Sequence, residues 1–151
     1  MDWVTTSAER GRRMSEETPY FGEAYEYKVD PDFEPAYLNV DQDPPSLTVE
    51  PGVVIRPILG KRLNMNVVHF EPHSVAPVHQ HAEEQLGTVL EGSCEFELAG
   101  EKRLLRKGDA YVIPPNVPHG ASTSEETCVV IDVFSPPRAG LREMVEQQGK
   151  A

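Results

Sequence analysis

Four residues in the second half of the chain have the types and the spacing of a metal site: His79, His81, Gln85 and His119. His79 and His81 are two apart in a segment that reads as a strand. Successive side chains on a strand alternate faces, so both imidazoles leave the same side, with α-carbons about 6.5 to 7 Å apart. Two rings so placed can converge on one ion, which an imidazole nitrogen approaches to about 2.0 to 2.1 Å. Gln85 follows His81 by four residues and offers an amide oxygen, and His119 arrives much later. A lone His-x-His is weak evidence, because such pairs also occur on solvated strands. The other two histidines, His69 and His73, lack partner spacing and read as surface or turn residues.

The elements that must position these residues come from residue 52 onward. Short runs of Val, Ile, Leu and aromatic residues, each closed by Gly, Pro or Asn, predict strands near 53–59, 64–70, 76–81, 86–91, 93–98, 102–106, 110–114 and 127–134. Strands at this spacing with no helices between them indicate a sandwich or barrel. Ala99-Gly100-Glu101 reads as a tight hairpin and Lys107-Gly108-Asp109 as a second turn. Leu141, Met144 and Val145 have helical spacing and predict a short C-terminal helix. Three segments follow: an acidic, partly ordered N-terminal arm over 1–50, a barrel over 51–138, and a helix and tail over 139–151. Met1 and Met14 are both possible starts.

The run HQHAEEQLGTVLEG from His79 to Gly92, followed by GDAYVIPPNVPH from Gly108 to His119, resembles the two signature motifs of the cupin superfamily. The resemblance implies an all-β fold, a single cupin jelly-roll β-barrel (double-stranded β-helix). It also implies one divalent transition metal, whether zinc, nickel, iron or manganese, on His79, His81, Gln85 and His119. Three positions depart from the motifs. His73 and Asn116 stand where glycines are usual, and both residue types tolerate left-handed backbone angles better than most. Gln85 stands where the family has an acidic ligand. A neutral amide leaves the full dipositive charge on the site, which favours polarising a carbonyl or hydroxyl oxygen. The alternative is that Glu83 or Glu84 is the real ligand.

A second set of residues lies at the end of the barrel. The last predicted strand alternates Cys128, Val130, Asp132 and Phe134 against Val129, Ile131 and Val133. Its second face is apolar and calls for a cover, either the N-terminal arm or a second subunit, and a homodimer is expected. Asp132, among apolar neighbours, needs a partner. Arg138 is close enough in sequence to be one, as a plain ion pair. The run DVFSPPR from Asp132 to Arg138 is similar to the end of the pectin-degradation cupins that open ring-form 4,5-unsaturated uronates. That resemblance implies catalytic roles for Asp132, Phe134 and Arg138. The acidic pair that tends to follow the arginine in that group is Ala139-Gly140 here.

The expected function is a metal-dependent lyase or isomerase acting on a small carboxylate-bearing, sugar-like or oxo/hydroxy acid. The ion would bind a hydroxyl or carbonyl oxygen, Asp132 would move a proton, and Arg138 would hold the carboxylate. The alternatives are a cupin dioxygenase and a non-catalytic small-molecule-binding protein. Charge excludes other classes. The net charge is −11, and residues 1–50 hold 12 acidic against 4 basic side chains. Such a surface is a poor match for nucleic acid or anionic lipid. With no apolar run of membrane-spanning length and no secretory core in the first 30 residues, the expected location is cytoplasmic. Cys94 and Cys128 lie in predicted strands and read as reduced core residues.

Overall fold

The structure, a computed structural model, describes residues 30–150. The chain divides into two units, residues 1–34 and 35–151. The described part of the first is a turn in which the Phe33 N–H donates to the Asp30 carbonyl. The arm's aromatics Tyr20, Phe21, Tyr25 and Tyr27 lie outside the described residues.

In the second unit nine strands and one helix follow in order: β1 Leu47–Glu50, β2 Val53–Leu59, β3 Asn64–Phe70, β4 Val75–His79, β5 Glu84–Leu98, β6 Glu101–Arg106, β7 Ala110–Ile113, β8 His119–Ser122, β9 Cys128–Ser135 and α1 Leu141–Gln148. Strand pairing runs β1-β2-β3-β9-β5-β8-β4, with β6 and β7 also on β5, and every pairing is antiparallel. This is the expected all-β jelly roll with a short C-terminal helix. β1 falls inside the stretch read as an arm and pairs with β2 through Leu47 opposite Ile55. β5 is one strand where two were predicted. It serves both sheets, pairing with β9 and β7 at its start and with β6 and β8 at its end. The change of sheet falls at an irregularity between Val89 and Glu91, followed by Gly92 at φ 70. A Cβ on Gly92 would overlap the Thr127 carbonyl, so only glycine lets the strand turn there.

The two unusual turn positions take left-handed angles, His73 with φ 58 and Asn116 with φ 63. Ala99 and Gly100 turn the β5–β6 hairpin with φ 51 and 82. The inner face of the large sheet grades from polar to apolar, because registered neighbours change together: Asn66 faces Asp132, Val68 faces Val130, and Phe70 faces Cys128. The apolar end joins Val53, Ile55, Val89, Phe96 and Ile113 in the core, which Leu141 of α1 also enters. Cys94 and Cys128 are both free and buried there. On the outer face Val129, Ile131 and Val133 are half-buried.

Candidate metal centre and adjoining cavity

The polar end of the barrel holds the histidines. His79 closes β4 and is paired in register with His119, the first residue of β8. His81 lies two residues beyond the end of β4, so the expected shared strand face does not bring it to His79. A loop does so instead, held by the Asn116 N–H donating to the His81 carbonyl at 2.7 Å. The three ring centroids stand 4.4 to 5.7 Å apart, and one ligand nitrogen from each ring lies within 4.8 Å of the others. His81 and His119 are buried, while His79 opens to solvent.

The tautomers follow from the neighbours. The Nδ1 of His79 lies 2.7 Å from the Pro77 carbonyl, that of His119 2.8 Å from the Val117 carbonyl, and that of His81 3.0 Å from the Glu83 carbonyl. A carbonyl only accepts, so each Nδ1 carries a hydrogen and each Nε2 is the ring atom left to face a metal. His119 Nε2 is buried with no hydrogen-bond partner among the described residues, an arrangement an ion would relieve. Burial, reinforced by the charge of Arg138, holds His81 below its ordinary pKa, and burial pushes His119 down to about 4. Both rings are therefore neutral at pH 7, as ligation requires.

Gln85, buried on β5, points its Oε1 at His81 Nε2 from 3.1 Å. Two acceptors face each other across that gap, which a cation between them would satisfy. The Gln85 side chain also acts on the Asp132 carboxylate, favouring its ionised form. Neither alternative acid is among the converging ligand atoms. Glu84 is exposed on the strand face opposite Gln85. Glu83 is buried, but its oxygens take the Ala139 N–H and Arg138 Nη1, both at 3.0 Å.

Arg138 therefore pairs with Glu83, not with Asp132. Asp132 is buried and accepts a 2.6 Å hydrogen bond from the Tyr111 hydroxyl. Burial raises its carboxyl to about 6, although the Tyr111 and Gln85 hydrogen bonds pull the other way. Burial and the Asp132 charge in turn raise the Tyr111 phenol. Phe134 lies opposite Gln85 on β9, its ring 5.6 Å from that of His81 and 5.9 Å from the Arg138 guanidinium carbon. Sequence reasoning missed Tyr111, Asn64 and Asn66. Asn64 is fully buried, accepts the Arg138 N–H at 2.8 Å and donates to Asn66 at 3.1 Å, so it ties β3 to the end of β9. The signal for the asparagines was their alternation on the inner face of a strand otherwise apolar there.

A cavity of about 400 Å³ adjoins the cluster. His79, Gln85, His119, Asp132, Phe134 and Arg138 all line it, and Met144 of α1 and Val49 of β1 border it. The donor set, three imidazoles and an amide oxygen, fits a divalent transition metal.

Fold and site together define a small jelly-roll barrel with a three-histidine centre able to hold a metal ion. Residues 66–134 match the cupin domain family. The chain is 44% identical over 78 residues to the pectin degradation protein KdgF of Dickeya dadantii (strain 3937), spanning 51% of this chain and 71% of that protein. It is similar to the solved structure of KdgF from Halomonas sp. at 38% identity and a TM-score of 0.63, over 71% of this chain and 97% of that one. It is also 34% identical over 67 residues to the H2HPP isomerase of Bacillus subtilis, covering 43% of this chain and 28% of that protein. The chain belongs to the cupin family.

Proposed function

We propose that this chain is a metal-dependent enzyme of the lyase or isomerase kind acting on a small carboxylate-bearing oxo or hydroxy acid, with a ring-form 4,5-unsaturated uronate as the first candidate. One observation carries the reading: three imidazole lone pairs and the Gln85 amide oxygen converge at the wall of a cavity that also presents a buried carboxylate, Asp132. His79, His81, Gln85 and His119 would hold the ion. When bound, a divalent ion supplies Lewis-acid polarisation of a hydroxyl or carbonyl oxygen.

The chain's own groups supply the rest. Asp132, hydrogen-bonded to the Tyr111 phenol and sharing the cavity wall with the Gln85 amide, is the group there suited to carry a proton between carbon and oxygen of a substrate. Arg138 gives one Nη1 hydrogen to Glu83 and keeps further donors for a substrate carboxylate. Phe134 lines the cavity with its ring between His81 and the Arg138 guanidinium, an apolar wall beside the site. The relatives named for pectin degradation and for an isomerase support an enzyme of this kind.

The test is to strip the protein of metal, reload it separately with zinc, nickel, iron(II) and manganese, and follow the ultraviolet absorbance of an unsaturated uronate prepared from pectin or alginate. The expected result is loss of that absorbance with at least one metal, abolished by a chelator. If uronates, 2-oxo acids and 2-hydroxy acids were bound by the loaded protein but never consumed, the enzyme reading would give way to a binding protein.

A further inference from the structure

Two acidic residues, Glu83 and Glu84, precede Gln85 in the metal-site loop, and the structure treats them oppositely: Glu84 is exposed, whereas the Glu83 side chain is 7% exposed. An ionised carboxylate removed from water this far costs several kcal/mol unless it is fully paired. Its pairing is specific. Oε1 accepts the Ala139 N–H at 3.0 Å, and Oε2 accepts from Arg138 Nη1 at 3.0 Å. The same Oε2 stands 3.3 Å from His81 Nδ1, whose hydrogen the Glu83 main-chain carbonyl accepts at 3.0 Å.

We infer that Glu83 is a positioning residue that fixes the metal-ligating ring of His81 and the Arg138 guanidinium with a single carboxylate. The inference rests on reading the three histidines as a metal site and deepens it. The Glu83 carbonyl takes the His81 Nδ1–H, and the Glu83 carboxylate stands beside the same nitrogen at 3.3 Å, where its charge acts on that N–H. This sets the angle of the ring and increases the basicity of Nε2, the atom that faces Gln85 and the other imidazoles. The other contacts of the same carboxylate hold Arg138 against Phe134 and anchor the main chain two residues before α1. The metal ligand and the arginine at the cavity wall therefore share one support and do not move independently.

The experiment uses the full chain, stripped of metal and titrated with Zn²⁺ against a chromophoric chelator, as wild type and as Glu83→Gln. The amide keeps the size of the carboxylate but removes its charge. The expected result is a Zn²⁺ Kd weakened by roughly 10- to 100-fold, the loss usual when a partner of a ligating histidine is removed. The rise in Tm on adding Zn²⁺ should shrink accordingly, and the visible absorption of the Co²⁺-loaded variant should differ from wild type. A purely structural role predicts something else: equal Tm losses with and without metal, and a Kd within twofold of wild type. That outcome overturns the inference. Should Glu83→Gln fail to fold because Arg138 is left unpaired, the double variant Glu83→Gln/Arg138→Gln removes both charges, and the same Kd prediction applies to it. If the wild-type chain takes up neither Zn²⁺ nor Co²⁺, the metal-site reading itself fails, and this inference falls with it.

Discussion

Gly87 offers a sharp test of how the cavity wall is built. It lies on β5 between Tyr111 of β7 and Asp132 of β9, its registered neighbours on either side. Its φ is not among the positive ones, so alanine there carries no backbone penalty. Space is the obstacle: an added Cβ would come closer than 3.0 Å to the Tyr111 ring and to Asp132 Oδ1, the two groups joined by the 2.6 Å hydrogen bond. Gly87→Ala must therefore push the phenol and the carboxylate aside. Overpacking of this kind costs about 1 to 3 kcal/mol, and loss of a buried hydrogen bond to a charged group costs about 1.5 to 3 kcal/mol. Together they predict a destabilisation of about 2.5 to 6 kcal/mol, a large part of the 5 to 15 kcal/mol typical of a domain. Because Asp132 also interacts with the Gln85 side chain, metal affinity should fall as well. Urea denaturation of the two proteins, with chelator competition on each, measures both effects. A Gly87→Ala variant within 1 kcal/mol of wild type, with unchanged metal affinity, would refute the described packing of Tyr111, Asp132 and Gln85. Gly100→Ala is the control: nothing lies within 4 Å of its Cβ, and its cost should be only the left-handed penalty at φ 82, about 1 to 2 kcal/mol.

Asp132→Asn should lower turnover of a uronate substrate by about 10²- to 10⁴-fold while metal stays bound, measured by steady-state kinetics alongside elemental analysis. Arg138→Ala should chiefly raise KM, and an unchanged KM would remove the arginine from substrate binding. Ile113→Ala, at a side chain with 0% exposure, should cost about 2 to 5 kcal/mol in urea titration and leave metal stoichiometry intact.

The fold was legible because alternation and turn chemistry agree along most of the barrel. β2 and β3 have the predicted bounds, and β9 is displaced by a single residue. β8 was missed because His-Gly-Ala-Ser has no alternation of apolar and polar residues, and β1 because Leu47–Glu50 sits in an acidic, proline-rich stretch. Both are strands by virtue of their partners, which a local pattern does not report. β5 was split because Gly92 is an ordinary turn signal, yet here it bends a continuous strand from one sheet to the other. The histidine positions were legible from motif spacing, but the means of convergence was not: the Asn116 N–H that holds His81 comes from a loop 35 residues away. Proximity in sequence also suggested Arg138 as the partner of Asp132. The fold gives the arginine to Glu83, 55 residues away, and gives Asp132 to Tyr111. Pairings of that kind are set by strand register and are invisible in the sequence of either partner.

If His79, His81, Gln85 and His119 hold one divalent ion, loss of a single imidazole must empty the site. The most direct measurement is elemental analysis of the purified chain beside His81→Ala, after both have been stripped and reloaded with the same metal and freed of excess ion. Removing one of three imidazoles leaves a buried set too poor in ligands to retain the metal. Close to one ion per wild-type chain and almost none in a folded His81→Ala variant is the expected result. Equal metal content in the two proteins, or none in the wild type, would contradict it.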